Sequence, residues 1–334
     1  MPGRRFALCL TLAVLLALPA GSSRAEEVRI GVLPLASSGP IFIAAEKGYF
    51  KDAGLEPKLV FFQAAQPVAV AVVSRDIDFG VTAFTAGFFA LAGKGGITVI
   101  GAQSREEPGY RLIAYVAGGK AYDAGFKRPA DFPGKRIAIT QTGSSFHYSL
   151  GLLADKLHVP MTAVELVAVQ SMGNMASAVE GNQVDGALMP ASVAIPLAER
   201  GKAHILGWVG DETPWQLGAL FTSPRTIAER RATVEKFVAA YRRGTRTYFD
   251  QLLAKDAGGK VTGGPERAAI LAIIAKYVNE TPEQVAKSVA FIDPDGRLLT
   301  ADVFHQVAWY QAQGLLDQGI DAKSFLDLSF IPGQ

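Results

Sequence analysis

The sequence predicts a two-lobed α/β fold, each lobe a mixed but mostly parallel sheet with flanking helices, the two joined by crossing strands. Two observations carry this. Short β-branched runs alternate with helical stretches, the pattern of parallel βα units. The pattern then recurs without a gap after a shift of about 107 residues, so two units of one topology follow each other in the chain of 334 residues.

In the first unit, residues 28–33 read as a strand and 41–50 as a helix opened by the turn Ser37-Ser38-Gly39-Pro40. A strand over 58–62, a helix over 67–74 and a strand over 77–81 complete it. The second unit reads as a strand over 136–140, a helix over 146–157 opened by Thr142-Gly143-Ser144-Ser145, a strand over 164–169, a helix over 172–180 and a strand over 184–189. Identical residues fall at matching places: Arg29 and Arg136, Ser37 and Ser144, Ser38 and Ser145, Gln63 and Gln170, Asp78 and Asp185. At a slightly shorter spacing, 97–102 matches 203–209 and 111–116 matches 216–221. The last two segments are expected to carry the chain between lobes. From Pro224 onward the text is helical: Ser223-Pro224 supplies N-cap and N1, Thr281-Pro282-Glu283-Gln284 is a capping box, and Thr300 is expected to cap a helix over 301–315. This tail has no counterpart in the repeat and is expected on the first lobe, with 258–264 a surface loop. The domain expectation is lobe 1 over 26–113 and 218–334, and lobe 2 over 114–217.

Composition excludes several classes. The chain is 49% hydrophobic and 19% charged, and its 35 Gly and 18 Pro lack collagen periodicity, so it is a folded protein with ample core. Its single cysteine, Cys9, excludes an intramolecular disulfide and any CxxC or cysteine-based zinc site. Formal charge is +2. Setting aside Arg4, Arg5 and Arg24 (33 − 3) leaves 30 basic against 31 acidic residues, with no basic stripe for nucleic acid or an anionic membrane.

Those three arginines belong to residues 1–25, which read as a signal peptide: a charged start, an apolar run over 6–20, and small residues Ser23 and Ala25 at −3 and −1 of a cleavage site. The apolar run is shorter than the roughly 20 residues a spanning helix needs. The expectation is a cleaved leader, by the general secretory route rather than the twin-arginine one, and a soluble product in the periplasm.

The helix-opening turns carry the functional signal. In parallel βα units, strand carboxyl ends and the following helix N-termini face one crevice, and each helix start offers unpaired N–H groups and about half a positive charge. Ser37, Ser38 and Gly39 in one unit, and Thr142, Gly143, Ser144 and Ser145 in the other, are therefore candidate ligand contacts from opposite sides; ordinary N-capping by serine is the competing role. Thr82 and Thr85, after the third strand, and Pro190-Ala191-Ser192, after its counterpart, are further candidates. In the segments before the crossing strands, Arg105 offers a charged fork for a carboxylate or sulfonate, and Tyr110 and Trp215 can cover an apolar body. The alternative is that Arg105 pairs with Glu106, Glu107 or Asp211 and the aromatics pack at the hinge. Asn174, at a helix start, completes the candidates. No cofactor and no metal site are expected: His147, His158, His204 and His305 are scattered, and GxSxG, GxxxxGK[ST] and a strand-linked GxGxxG are absent. The sequence nominates no catalytic group.

The stretches IGVLPLASSGPIFIAAEKGYFKDAGLEPKLV, SRDIDFGVTAFTAG, KRIAITQTGSSFHYSLGLLADKL and VEGNQVDGALMPASVAIPLAERG resemble substrate-binding proteins of ABC importers of the nitrate/sulfonate/taurine type. The likeness runs from about 28 to 250. It implies a type II periplasmic-binding-protein fold with ligand in the cleft, Ser38 and Thr142 to Ser145 among its contacts, and delivery to an ABC permease whose ATPase is a separate chain. A monomer is expected, with a small organic anion or related nitrogen or sulfur compound as ligand. The family also includes enzymes of thiamine pyrimidine synthesis with a cysteine-rich motif, which this chain lacks. An enzyme on the same fold, of lyase or dehydratase type, and a periplasmic sensor module are the rival readings.

Overall fold

The structure, a computed structural model, describes residues 25–331 and 333. Apart from Ala25, the expected signal peptide lies outside them.

The chain opens with β1 (Glu26–Val32), α1 (Gly39–Glu46), α2 (Tyr49–Asp52), β2 (Leu55–Phe61), α3 (Ala65–Ser74), β3 (Phe79–Ala83), α4 (Ala86–Gly93) and β4 (Thr98–Ala102). A short strand, β5 (Ser104–Glu106), leads to β6 (Ile113–Gly118), α5 (Gly119–Asp123), β7 (Arg136–Ile139), α6 (Ser145–Lys156), β8 (Glu165–Ala168), α7 (Met172–Glu180), β9 (Gly186–Pro190), α8 (Ala191–Glu199), β10 (Ala203–Trp208) and α9 (Val209–Glu212). The chain returns through β11 (Trp215–Gln216) and β12 (Gly218–Thr222) to α10 (Pro224–Tyr248), α11 (Arg267–Val278), α12 (Pro282–Lys287), β13 (Phe291–Ile292) and α13 (Thr300–Ala312).

Two five-stranded sheets result, in the orders β2-β1-β3-β12-β4 and β8-β7-β9-β6-β10. In each, three adjacent strands pair in parallel through βα crossovers, and one antiparallel strand lies between them and a fifth strand of the same sense as the three. The doubled architecture read from the sequence is thus present, down to single hydrogen bonds. Arg29 N donates to Asp78 Oδ2 at 2.7 Å, and Arg136 N to Asp185 Oδ2 at 2.8 Å. Arg75, which caps α3, and Asn182, two residues past α7, are also 107 apart and both left-handed, at φ 68° and 53°.

The expected helix over 41–50 is two helices, broken at Gly48, whose φ of 75° no helix accommodates. Ser223 and Thr281 cap as expected, Thr281 with the reciprocal Gln284 contact. Thr300 does not cap: it is already helical, and Leu299 precedes it without a side-chain cap.

The crossing differs from the sequence expectation. The segments 111–116 and 216–221 supply β6 and β12, which lie inside the sheets. The chain crosses just before them, through β5 and β11, which pair antiparallel (Trp215 with Glu106, Gln216 with Arg105). From the tail, β13 joins as a third strand, pairing Phe291 with Arg105.

Helices α10 and α11 pack on α1, with Phe79 and Phe237 stacked at 3.7 Å. The tail also reaches the second lobe. Lys287 of α12 pairs with Glu199 of α8. On α13, His305 Nδ1 lies 2.8 Å from Tyr148 Oη, Trp309 Nε1 donates to Asp155 Oδ2 at 3.2 Å, and Tyr310 Oη donates to the Ser144 carbonyl at 3.1 Å. Among the described residues no helix is long and apolar enough to cross a membrane.

Candidate functional site

The carboxyl ends of the parallel strands of both sheets meet at one cavity of about 60 Å³ between the lobes. Three βα junctions from each lobe surround it. Ala36 and Ser37 precede α1, Ala64 caps α3 and Thr85 caps α4; Ser144 caps α6, Met172 starts α7 and Pro190 caps α8. Leu33, Leu35, Leu112, Ile113, Phe146 and Leu217 supply its apolar wall, and neutral polar residues such as Thr82, Gln103 and Thr140 the rest. No Lys, Arg, His, Asp or Glu side chain lines it among the described residues.

The helix starts differ in how their N–H groups are used. Thr85 Oγ1 accepts from Phe88 N at 2.9 Å, Ser144 Oγ from His147 N at 3.4 Å, and Ser171 Oγ from Asn174 N at 3.1 Å. In contrast, α1, α3 and α8 have no side-chain cap, since Ala64 and Pro190 offer no oxygen and Ser38 Oγ makes no such bond. Uncapped amides beside a cavity are the arrangement that favours a ligand's acceptor oxygens.

The lobes touch at the rim. Ala86 N donates to the Gly143 carbonyl at 2.8 Å, and a Cβ on Gly143, whose φ is 77°, would sit 2.8 Å from Ala86 Cβ. Gly143 N in turn donates to His147 Nδ1 at 3.1 Å. Burial pushes the His147 imidazole down to about 4, so it stays neutral and keeps that acceptor.

Of the sequence-proposed contacts, Ser37, Thr82, Thr85, Ser144, Ser145 and Pro190 line the cavity, as does Ser192. The matching serine turns therefore do face one gap, through Ser37 rather than Ser38. Ser38 is buried behind it, and Gly39 faces Ile274 and Tyr248 on α11 and α10. Thr142 is exposed beside the rim, and Gly143 serves the contact with α4. The structure places the other candidates elsewhere. Arg105 is in the hinge ladder, paired with Glu107 at 2.9 Å and over the Phe291 ring at 4.2 Å. Tyr110 meets the same ring edge-on at 5.3 Å. Trp215 is buried against Tyr148 at 4.8 Å. Asn174 is exposed and donates to the Val169 carbonyl at 2.7 Å.

Sequence reasoning missed the lining residues Gln66, Gln103, Thr140 and Gln141. One signal was available: Ala64 aligns with Ser171 in the repeat, a helix start without a capping oxygen where its partner has one.

Beneath the cleft, the hinge holds an unusual group. Glu106 is fully buried opposite Trp215, with neither carboxyl oxygen meeting a donor in hydrogen-bonding geometry. Burial drives its carboxyl well above the ordinary range, partly offset by the nearby amides of Gly210 and Ile113.

A family model described as NMT1/THI5 like matches residues 36–251. No curated protein matches the chain in sequence. Solved structures do match in shape. The alkanesulfonate-binding protein SsuA of Xanthomonas axonopodis pv. citri, bound to MOPS, superposes with a TM-score of 0.72 at 20% identity, covering 91% of this chain and 98% of that one. The periplasmic aliphatic sulphonate-binding protein SsuA of Escherichia coli gives 0.69 at 16%, over 90% and 91%. The periplasmic nitrate-binding protein NrtA of Synechocystis PCC 6803 gives 0.66 at 12%, over 90% and 84%.

Proposed function

The chain belongs to the NMT1/THI5-like family and has the two-lobed periplasmic-binding fold, and on that footing we propose that it is the solute-binding component of an ABC import system. It captures a small organic molecule with an acceptor-rich head, a sulfonate or carboxylate, between its lobes outside the inner membrane. It then presents the closed form to a permease powered by a separate ATPase chain. The observation that carries the reading is the ring of helix starts, three from each lobe, around a cavity that no charged side chain lines among the described residues.

The magnitudes agree with a binding role. One helix N-terminus contributes about 0.3–1 kcal/mol, up to about 2 when partly buried. Micromolar affinity needs roughly −8 kcal/mol. Helix starts orient the head, and enclosure against Leu33, Leu35, Phe146 and Leu217 supplies the remainder. Ligand that touches both lobes favours the form in which Ala86 meets Gly143, and only that differential contact shifts the population. Among the described residues no acidic or basic side chain lines the cavity to activate its serine and threonine hydroxyls, which favours capture over turnover.

Calorimetric titration of the leader-free protein with sulfonates, carboxylates, nitrate and nitrogen heterocycles tests this. Binding of at least one class, with compaction seen by small-angle scattering, is expected. No binding across the panel overturns it.

A further inference from the structure

We propose that Thr82 and Gln103, on the first-lobe side of the cavity, form a subsite for a hydrogen-bond donor, so that the captured compound carries a neutral N–H or O–H group besides its acceptor-rich head. The inference rests on the cleft being the binding site.

Gln103 follows β4 and is 5% exposed. Its backbone N donates to the Gly218 carbonyl at 3.1 Å, which fixes where the side chain starts. Its Nε2 points at the Ser37 carbonyl at 3.5 Å. That neighbour sets the amide's sense, because the opposite sense would face two oxygens. The other end, Oε1, therefore remains an acceptor, and it has no partner. Thr82, near the end of β3, is 2% exposed, and its Oγ1 is equally without a partner. Gly218 lies between the two. A Cβ there would sit 2.5 Å from Gln103 Oε1 and 2.2 Å from the Thr82 carbonyl, so only glycine leaves room for the amide at this spot.

Two of the other cavity-lining hydroxyls have partners. Thr85 Oγ1 donates to Gln66 Oε1 at 2.5 Å while capping α4, and Ser144 caps α6. Among the described lining residues, the fully buried side-chain atoms without a partner are these two, a neutral acceptor and a hydroxyl. A buried acceptor without a donor is costly, and a ligand that completes it recovers that cost. The donor is a neutral one, since among the described residues no carboxylate lines the cavity to compensate a cation.

Matched probes test this. The pairs are 2-hydroxyethanesulfonate with 1-propanesulfonate, and glycolate with propionate, each differing in a hydroxyl against a methyl. In the parent protein the hydroxyl member of a bound pair is expected to bind at least about tenfold tighter. In Gln103→Met, and less strongly in Thr82→Val, the ratio falls to about one to three, with an unchanged circular-dichroism spectrum reporting that the variant is folded. Equal affinities in the parent, or a preference that survives both substitutions, overturn the donor subsite and leave the receptor reading standing. Failure of every probe in the parent, together with failure of the wider panel, overturns both.

Discussion

Replacing Gly143 by alanine separates two effects that the structure puts at one residue. At φ 77° an alanine is strained by about 1–2 kcal/mol, in any arrangement of the lobes. Its Cβ also lands 2.8 Å from Ala86 Cβ, a contact that exists only while the lobes touch. Relieving it pulls the Ala86 amide from the Gly143 carbonyl, a hydrogen bond worth about 0.5–1.5 kcal/mol. The closed population then falls about two- to tenfold from that bond alone. Gly134 is the control: its φ is 76° and nothing lies within 4 Å of its missing Cβ. Both alanine variants should melt a few degrees lower than the parent. Only Gly143→Ala should show a larger radius of gyration by small-angle scattering and a weaker affinity for any bound probe. If the two variants give the same scattering curve and the same affinity, the rim contact does not govern closure and the reasoning fails.

Two predictions concern pH. His147 is held at about 4, below its ordinary 6.5, so the unfolded chain binds the extra proton first and stability should fall as pH drops through that window, by up to about 3 kcal/mol. The difference in melting temperature between parent and His147→Gln should therefore change between pH 7 and 4; a level difference would refute the neutral-imidazole account. Glu106 is shifted the other way, so the folded state keeps its proton and the parent should lose stability as pH rises from the ordinary carboxyl range toward neutrality and beyond. Glu106→Gln should lack that loss, read by thermal melts from pH 5 to 8, and parallel curves for the two proteins would sink the claim.

The lobes were legible because each βα unit repeats a burial pattern, a turn and a paired Arg–Asp contact at one spacing. Arg29 with Asp78, and Arg136 with Asp185, mark it in the text and in the hydrogen bonds. The hinge was not. β5, β11 and β13 have three, two and two residues, too short to show any period, and their pairing joins Arg105 to residues more than a hundred positions away. For Arg105 and Trp215 the sequence leaves cleft contact and hinge packing both open, and it is the ladder pairing that puts them in the hinge. In the site, serine turns stand out because caps follow spacing rules. Gln66, Gln103 and Gln141 follow none: a glutamine in the residues that follow a strand carries no periodic signal, and only the fold brings them to one place.

Sheet order also sets the sequence in which the molecule can be completed. All strands of the second sheet lie between Ile113 and Trp208, whereas β4 joins the first sheet only through β12, which arrives at Gly218–Thr222. A growing chain that ends before Gly218 can finish its middle while its beginning still lacks a neighbour for β4. The lobe made first is thus the lobe finished last, and a truncation at 217 should leave a protease-resistant centre flanked by digestible ends.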